Sequence, residues 1–233
     1  MKFTLKNKKK QNVTRKNHDI SIIKKINRDF ENKLDTKLIS KLNKEFKKRM
    51  IHEETSVASL FKKYSYYSKI KKGENYVKYF IIDSNKIHTC ILDLDKIGKA
   101  FSFFSVSSIL FSNNENFLIY SVDTVGNRYH DVYIKSYFND DVTKILSHVE
   151  GDMQLSIDDK YLYYLSMNKS MRPNKLFRYD LEKQSHKCIF TEDDQTFSLT
   201  LSRTTDRNHV LLTSFSWESS HVFNILDLSL IHI

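Results

Sequence analysis

A mainly β protein is predicted here: a long N-terminal helical arm followed by an incomplete β-propeller of about three blades. Three observations predict it. A strand–turn–strand pattern recurs three times in the second half. The apolar residues ahead of it step at helical spacing, and the charge changes sign between the two regions.

The repeat opens on Leu/Phe-Ser, passes through a polar turn and enters an aromatic or β-branched run. Its copies read Phe111-Ser112 to Asn116-Phe117-Leu118-Ile119-Tyr120-Ser121, Leu155-Ser156 to Lys160-Tyr161-Leu162-Tyr163-Tyr164-Leu165, and Leu201-Ser202 to Asn208-His209-Val210-Leu211-Leu212-Thr213. A further strand follows each, at Asp131–Tyr137, Lys175–Leu181 and His221–Asp227. The starts lie 44 and 46 residues apart. A period of roughly 40–50 residues with several strands per unit is the mark of a propeller blade. A blade cannot bury its own faces, so it needs neighbours. Rings close at about 4–8 blades, and the sequence therefore reads as part of something larger.

Ahead of the repeat, Ile22, Ile23, Ile26, Phe30, Leu34, Leu38, Leu42, Phe46 and Met50 step by three or four residues, mostly, and predict one helix from Ile20 to about His52. Asp19 would cap its start, and Lys47-Lys48-Arg49 suit the negative end of its dipole. Its apolar stripe is read as a packing face rather than a membrane anchor. Strands begin near Tyr64. Tyr64–Ile70 and Tyr76–Ile82 flank a Lys71-Lys72-Gly73-Glu74-Asn75 turn, followed by strands at Ile87–Leu94 and Phe101–Ile109. Thr124–Asn127 and Lys169–Asn174 are turns, and Pro173 falls in the second, where it interrupts no ladder. Four domains follow: a basic leader at 1–19, a helical arm at 20–56, a partial propeller at 57–227 and a tail at 228–233. That tail, Leu228-Ser229-Leu230-Ile231-His232-Ile233, is what a sequencing-adapter string would encode, and is read as adapter-derived.

The net charge of +10 is uneven: residues 1–72 hold 22 Lys and Arg against 7 Asp and Glu, the remainder 16 against 21. Lys8-Lys9-Lys10 and Lys47-Lys48-Arg49 would be the patch for nucleic acid or an anionic membrane. A solvated helix face and a ragged terminus are the preferred reading, and nucleic acid ranks last among partners. No run approaches 18 apolar residues and no secretion signal opens the chain, so no membrane partner is expected. Cys90 and Cys188 lie in different predicted blades without metal-ligand spacing. Buried free thiols in a reducing cytoplasm are expected, with no metal or cofactor.

The search for catalytic chemistry finds none that the chain could run alone. Gly73, Gly98, Gly126 and Gly151 form no Gly-x-Ser-x-Gly elbow. Asp140-Asp141, Asp158-Asp159 and Asp193-Asp194 read as acidic turns rather than acid/base pairs.

Several stretches nevertheless resemble one family. Leu118 to Arg128, with Ser121-Val122-Asp123-Thr124-Val125-Gly126-Asn127-Arg128 at its heart, is similar to the "AYSVDTxGxR" stretch of the prolyl oligopeptidase family of serine peptidases, in its oligopeptidase B branch. Arg172-Pro173-Asn174-Lys175-Leu176-Phe177-Arg178-Tyr179 resembles that branch's "RPxKVWRH" strand. Glu192–Phe197 and Ser202–Asp206 echo its next blade, and Tyr66-Tyr67-Ser68-Lys69 with Gly73-Glu74-Asn75-Tyr76 resembles "YYxRxxxGxxY". The resemblance covers about residues 20–227; the usual "DPYxWLE" opening is not evident before Ile20. It implies a seven-bladed propeller that admits only short peptides to an α/β-hydrolase domain cleaving after Lys or Arg. The catalytic Ser, Asp and His would belong to that other domain, and no site residue is assigned in this chain. A non-catalytic propeller that binds other proteins is the alternative.

Overall fold

A computed structural model describes residues 20–33, 35–50, 53–226 and 229–232, with side chains up to Ile225. The leader, the Asp19 cap and Lys8-Lys9-Lys10 lie outside the described residues. The helices and the sheets belong to two separate compact units.

The helical stripe is built as two helices, not one. Helix α1 covers 20–31 and α2 covers Thr36–Arg49. Asn32 and Lys33 close α1 through 3.0 Å bonds to the carbonyls of Arg28 and Phe30. Asp35 then turns extended, and its Oδ1 accepts from the backbone N–H of Lys37 at 3.0 Å and Leu38 at 2.9 Å. Aspartate here does better as an N-cap than inside a helix, because it satisfies N–H groups that the first turn leaves open. The helix spacing continues across the break, which is why the pattern hid it. Within this unit, Ile26, Phe30, Leu38, Leu42 and Phe46 are all exposed. α2 ends at Arg49 and the first strand begins at Glu54, ahead of the boundary expected at 57.

The second unit is a row of four antiparallel sheets. The first holds β1 (Glu54–Thr55), β2 (Ser59–Leu60), β3 (Ser65–Ile70), β4 (Lys78–Ile82) and β5 (His88–Asp93). β1 and β2 both pair with β3, so they act as one interrupted edge strand. A short helix, α3 (Leu94–Gly98), leads to β6 (Ser105–Phe111), β7 (Phe117–Asp123), β8 (His130–Ser136) and β9 (Val142–Val149). The third sheet holds β10 (Met153–Leu155), β11 (Tyr161–Met167), β12 (Pro173–Asp180) and β13 (Ser185–Thr191). The fourth holds β14 (Ser198–Arg203), β15 (Val210–Phe215), β16 (Ser220–Leu226) and β17 (Ser229–His232). In the last three sheets the strands pair strictly in chain order. The three repeats thus account for three sheets, and the leading hairpin supplies a fourth. β17, within the segment read as a tail, pairs its backbone with β16.

The core lies between sheets. Along β7, Leu118, Tyr120 and Val122 pack toward the first sheet's Ile81, Ile91 and Leu92, while Ile119 packs the other way with Leu155 and Leu162. β11 repeats this, with Leu162 and Tyr164 on one face and Tyr163 and Leu165 on the other. Strand side chains alternate faces, and a strand buried on both faces must be apolar throughout. That is the physical reason for the unbroken runs in the repeat.

Two expectations need correction. Pro173 is not in the loop: it is the first residue of β12 and lies opposite Met167. A strand's first residue can lack an N–H without breaking the ladder. Cys90 and Cys188 are free thiols in different sheets, but they are exposed. They sit on β5 and β13, the fourth strands of their sheets, whose early residues face solvent.

Candidate functional site

The chain-order pairing divides the row into two ends. At one end lie the β3–β4, β7–β8, β11–β12 and β15–β16 turns and the links from sheet to sheet. The first turns of each sheet (β2–β3, β6–β7, β10–β11 and β14–β15) lie at the other.

At the linking end, the turns of the first and third sheets, and strand β7 of the second, are tied to the segments that leave those sheets. The buried Asp95 carboxylate accepts from Asn75 N–H at 2.8 Å and pairs with Lys99 at 2.5 Å. Ser121 Oγ donates to the Gly151 carbonyl at 3.2 Å. Arg172 donates to the carbonyls of Asp194, at 2.9 Å, and Phe197. Asp123 shapes the β7–β8 turn by accepting from the N–H groups of Val125, Gly126 and Arg128 at 2.9, 2.7 and 2.8 Å. Burial works against its charge, but these three donors outweigh burial and hold its carboxyl below the usual range. Gly126 has φ +84 and faces the Phe103 ring, so the turn needs a residue that enters the left-handed region freely. The Asp-Thr-x-Gly-x-Arg pattern is therefore a turn-forming device. This end also shows solvent its apolar groups: Val125 is 73% exposed and Trp217 102% exposed, and Phe101 and Phe103 in the first link are exposed as well.

At the opposite end, three turns share one geometry. Ser112, Ser156 and Thr204 donate their N–H to the carbonyls of Phe117, Tyr161 and His209, and Glu115, Asp159 and Arg207 take left-handed φ values of 57, 58 and 62. The third copy therefore starts structurally at Arg203-Thr204, two residues after the Leu201-Ser202 that the motif selected. In the first two copies the left-handed residue is a carboxylate that reaches back to the preceding sheet. Glu115, 3% exposed, accepts from the N–H groups of Lys62, Lys63 and Tyr64 and from the Tyr66 hydroxyl, at 2.7 to 3.3 Å. Asp159 accepts from Asn113 and Asn114 N–H, each at 2.8 Å. The third copy has no such acceptor. Its Arg207 guanidinium lies 4.3 Å from the centre of the Phe61 ring in the first sheet.

The sequence-selected acid pairs are turns, as read. Asp158 accepts from the Ser156 hydroxyl at 2.6 Å, Asp141 from Asn139 Nδ2 at 2.6 Å, and Asp194 from the Thr196 hydroxyl at 2.7 Å. What sequence reasoning missed is that Asp159 also joins two sheets, which no local pattern could reveal. It missed Glu115 and Arg207 as well, although both fall at the same offset from the turn's Ser/Thr as Asp159. Among the described residues no cluster of three His, Cys, Asp or Glu side chains could hold a metal ion. No helix among them is long and apolar enough to cross a membrane.

Stacked four-stranded antiparallel sheets joined end to end define the class: the fold is that of a β-propeller domain, present here in part. Residues 24–229 match the family model described as the prolyl oligopeptidase N-terminal beta-propeller domain, and the chain belongs to that family. Among solved structures it is similar to oligopeptidase B from Leishmania major, with a TM-score of 0.76, 22% identity, and coverage of 85% of this chain and 30% of that one. Oligopeptidase B from Trypanosoma brucei with covalently bound antipain gives a TM-score of 0.73 and 19% identity, with the same coverage. "Protease 2" of Moraxella lacunata is 23% identical over 76% of this chain. The chain spans 27% of that relative's length.

Proposed function

We propose that this chain is the propeller portion of a serine-type oligopeptidase that cleaves short peptides after Lys or Arg. The family match over 24–229 carries the reading, and the similarity of fold to oligopeptidase B supports it. In this reading the propeller restricts access by size, and an α/β-hydrolase domain beyond the described residues performs the chemistry. There an activated serine would attack the scissile carbonyl, with a histidine as base and backbone donors for the oxyanion. The linking end, with Trp217, Val125, Phe101 and Phe103 exposed, is the surface that would pack against that domain. A cytoplasmic location belongs to the same proposal.

The test is to express the longest reading frame that contains this chain and assay it with fluorogenic peptides ending in Arg, Lys or Pro. Hydrolysis after Arg and Lys, abolished by a serine-directed fluorophosphonate, is the expected result. Cleavage after Pro alone would move the protein to another branch. No hydrolysis of any reporter would favour a non-catalytic propeller that binds partners through the same apolar end.

A further inference from the structure

Among its departures from its two predecessors, the third repeat places arginines at two positions. Where the earlier copies end their first strand on Phe111 and Leu155, this one has Arg203; where they place Glu115 and Asp159, it has Arg207. A guanidinium has no acceptor, so Arg207 cannot join sheets as the carboxylates do. Arg207 instead lies over the Phe61 ring and Arg203 donates to the Leu155 carbonyl, contacts that leave most of each guanidinium's N–H groups unused, and such breaks of a repeat's own rule point to function.

Both arginines line the same place. A cavity of about 380 Å³ is walled by Leu60, Phe61, Tyr66, Phe111 and Arg207. A second, of about 330 Å³, adjoins it across Phe111 and Arg207 and is walled by Arg203, Thr204 and Thr205 among others. No carboxylate lines either cavity. Among the described residues neither arginine forms a salt bridge. Arg203 donates one Nη2–H to the Leu155 carbonyl, and its Nε is buried without a partner. Burial first, and then the charge of Arg207, disfavours its protonated form. The Asp159 charge acts on Arg203 in the opposite sense but lines neither cavity, so the two cations face the cavities with no acid in their walls, poised for an anion, and guanidinium geometry matches a carboxylate.

We propose that Arg203 and Arg207 bind the C-terminal carboxylate of a short peptide, whose last apolar side chain enters the pocket of Phe61, Tyr66 and Phe111. The aromatic half of the cleft argues for a peptide over a free inorganic anion: a small ion would leave that half unfilled. Together the cavities are of the size that ligand pockets commonly have. The site does not depend on the peptidase reading, because binding is measured on this chain without turnover.

The experiment uses fluorescence anisotropy of the full chain with a fluorescein-labelled Gly-Leu-Phe tripeptide, as free acid and as amide. The free acid should bind about tenfold or more tightly than the amide, with affinity falling as salt rises. Arg207→Gln should abolish that discrimination, whereas Phe61→Ala should weaken both peptides and preserve it. Thermal unfolding confirms that each variant is folded. Should Arg207→Gln not fold, Arg207→Lys keeps the charge but loses the fork and should lose most of the discrimination. Equal binding of acid and amide, no binding at millimolar peptide, or an unaffected Arg207 variant would overturn the site. A Gly-Leu-Glu amide binding as well as the free acid would overturn the assignment to a peptide terminus. Inorganic sulfate competing as well as the peptide would leave only a simple anion site and would overturn the peptide ligand.

Discussion

The Asp159 carboxylate bonds Asn113 twice, taking its backbone N–H at 2.8 Å and its Nδ2 at 2.9 Å, and so fastens the third sheet to the second. Glu115 fastens the second to the first in the same way, from the same turn position and the same left-handed backbone. Sheets that contact each other through apolar faces can slide. Carboxylates that take the N–H groups of a neighbour's turn fix their offset.

Glu115→Ala should therefore destabilise the sheet unit by about 2–3 kcal/mol, since it strands the buried Tyr64 N–H and three partly buried donors at once. Asp159→Ala should cost less, because its carboxylate is less deeply buried. Urea denaturation of both variants checks the order. Equal, small losses would mean that apolar packing alone sets the sheet offset.

The glycines make a ranked prediction. A Cβ on Gly151 would sit 2.1 Å from Ser107 Oγ and 2.3 Å from Ser107 Cβ, so Gly151→Ala must displace the neighbouring strand. At Gly126 the nearest atoms are an ordinary 3.5 Å away, and only the φ of +84 opposes a side chain. Gly126→Ala should cost about 1–2 kcal/mol, and Gly151→Ala clearly more. Melting temperatures decide, and the reverse order would refute the packing argument.

Two carboxylates at the linking end should respond to pH in opposite senses. The Lys99 ammonium, then the Asn75 N–H, hold the Asp95 carboxyl below its ordinary value. Its stabilising contribution is present above the unfolded value, about 3.9, and is lost as pH falls through the lower folded one. Asp95→Asn should thus be less stable than the parent at neutral pH and converge with it in acid. Burial instead pushes Glu150 up. Its favourable contribution is present below the unfolded value and is lost as pH rises through the folded one. Glu150→Gln should match the parent in acid and exceed it at neutral pH. Denaturation midpoints from pH 3 to 8 test both signs.

Trp217 is the sole tryptophan and is fully exposed, which makes it a clean reporter of the linking end. Acrylamide should quench its emission in this chain nearly as fast as free tryptophan. In a longer protein that carries a packed second domain, quenching should fall several-fold. Unchanged quenching there would remove the linking end as the docking surface.

By itself the sequence determined the elements whose causes are local. The apolar runs of β7 and β11, the Lys71–Asn75 turn and the family stretch around Asp123 all stand where the pattern placed them. It also held the information for the interrupted helix, in Asp35, but helical spacing continued across the gap and masked a cap. Only tertiary structure decided what depends on a neighbour. The Leu201-Ser202 start looked right because apolar-Ser pairs recur, yet the turn's hydrogen bonds begin two residues later, at Arg203-Thr204. The solvent exposure of Cys90 and Cys188 follows from their place on the fourth strands, which spacing does not encode. The joining of sheets by Glu115 and Asp159, and the stacking of Arg207 on Phe61, involve residues about 45 to 145 positions apart. Periodicity reports which face a residue takes on its own strand. It cannot report which distant backbone that face will meet.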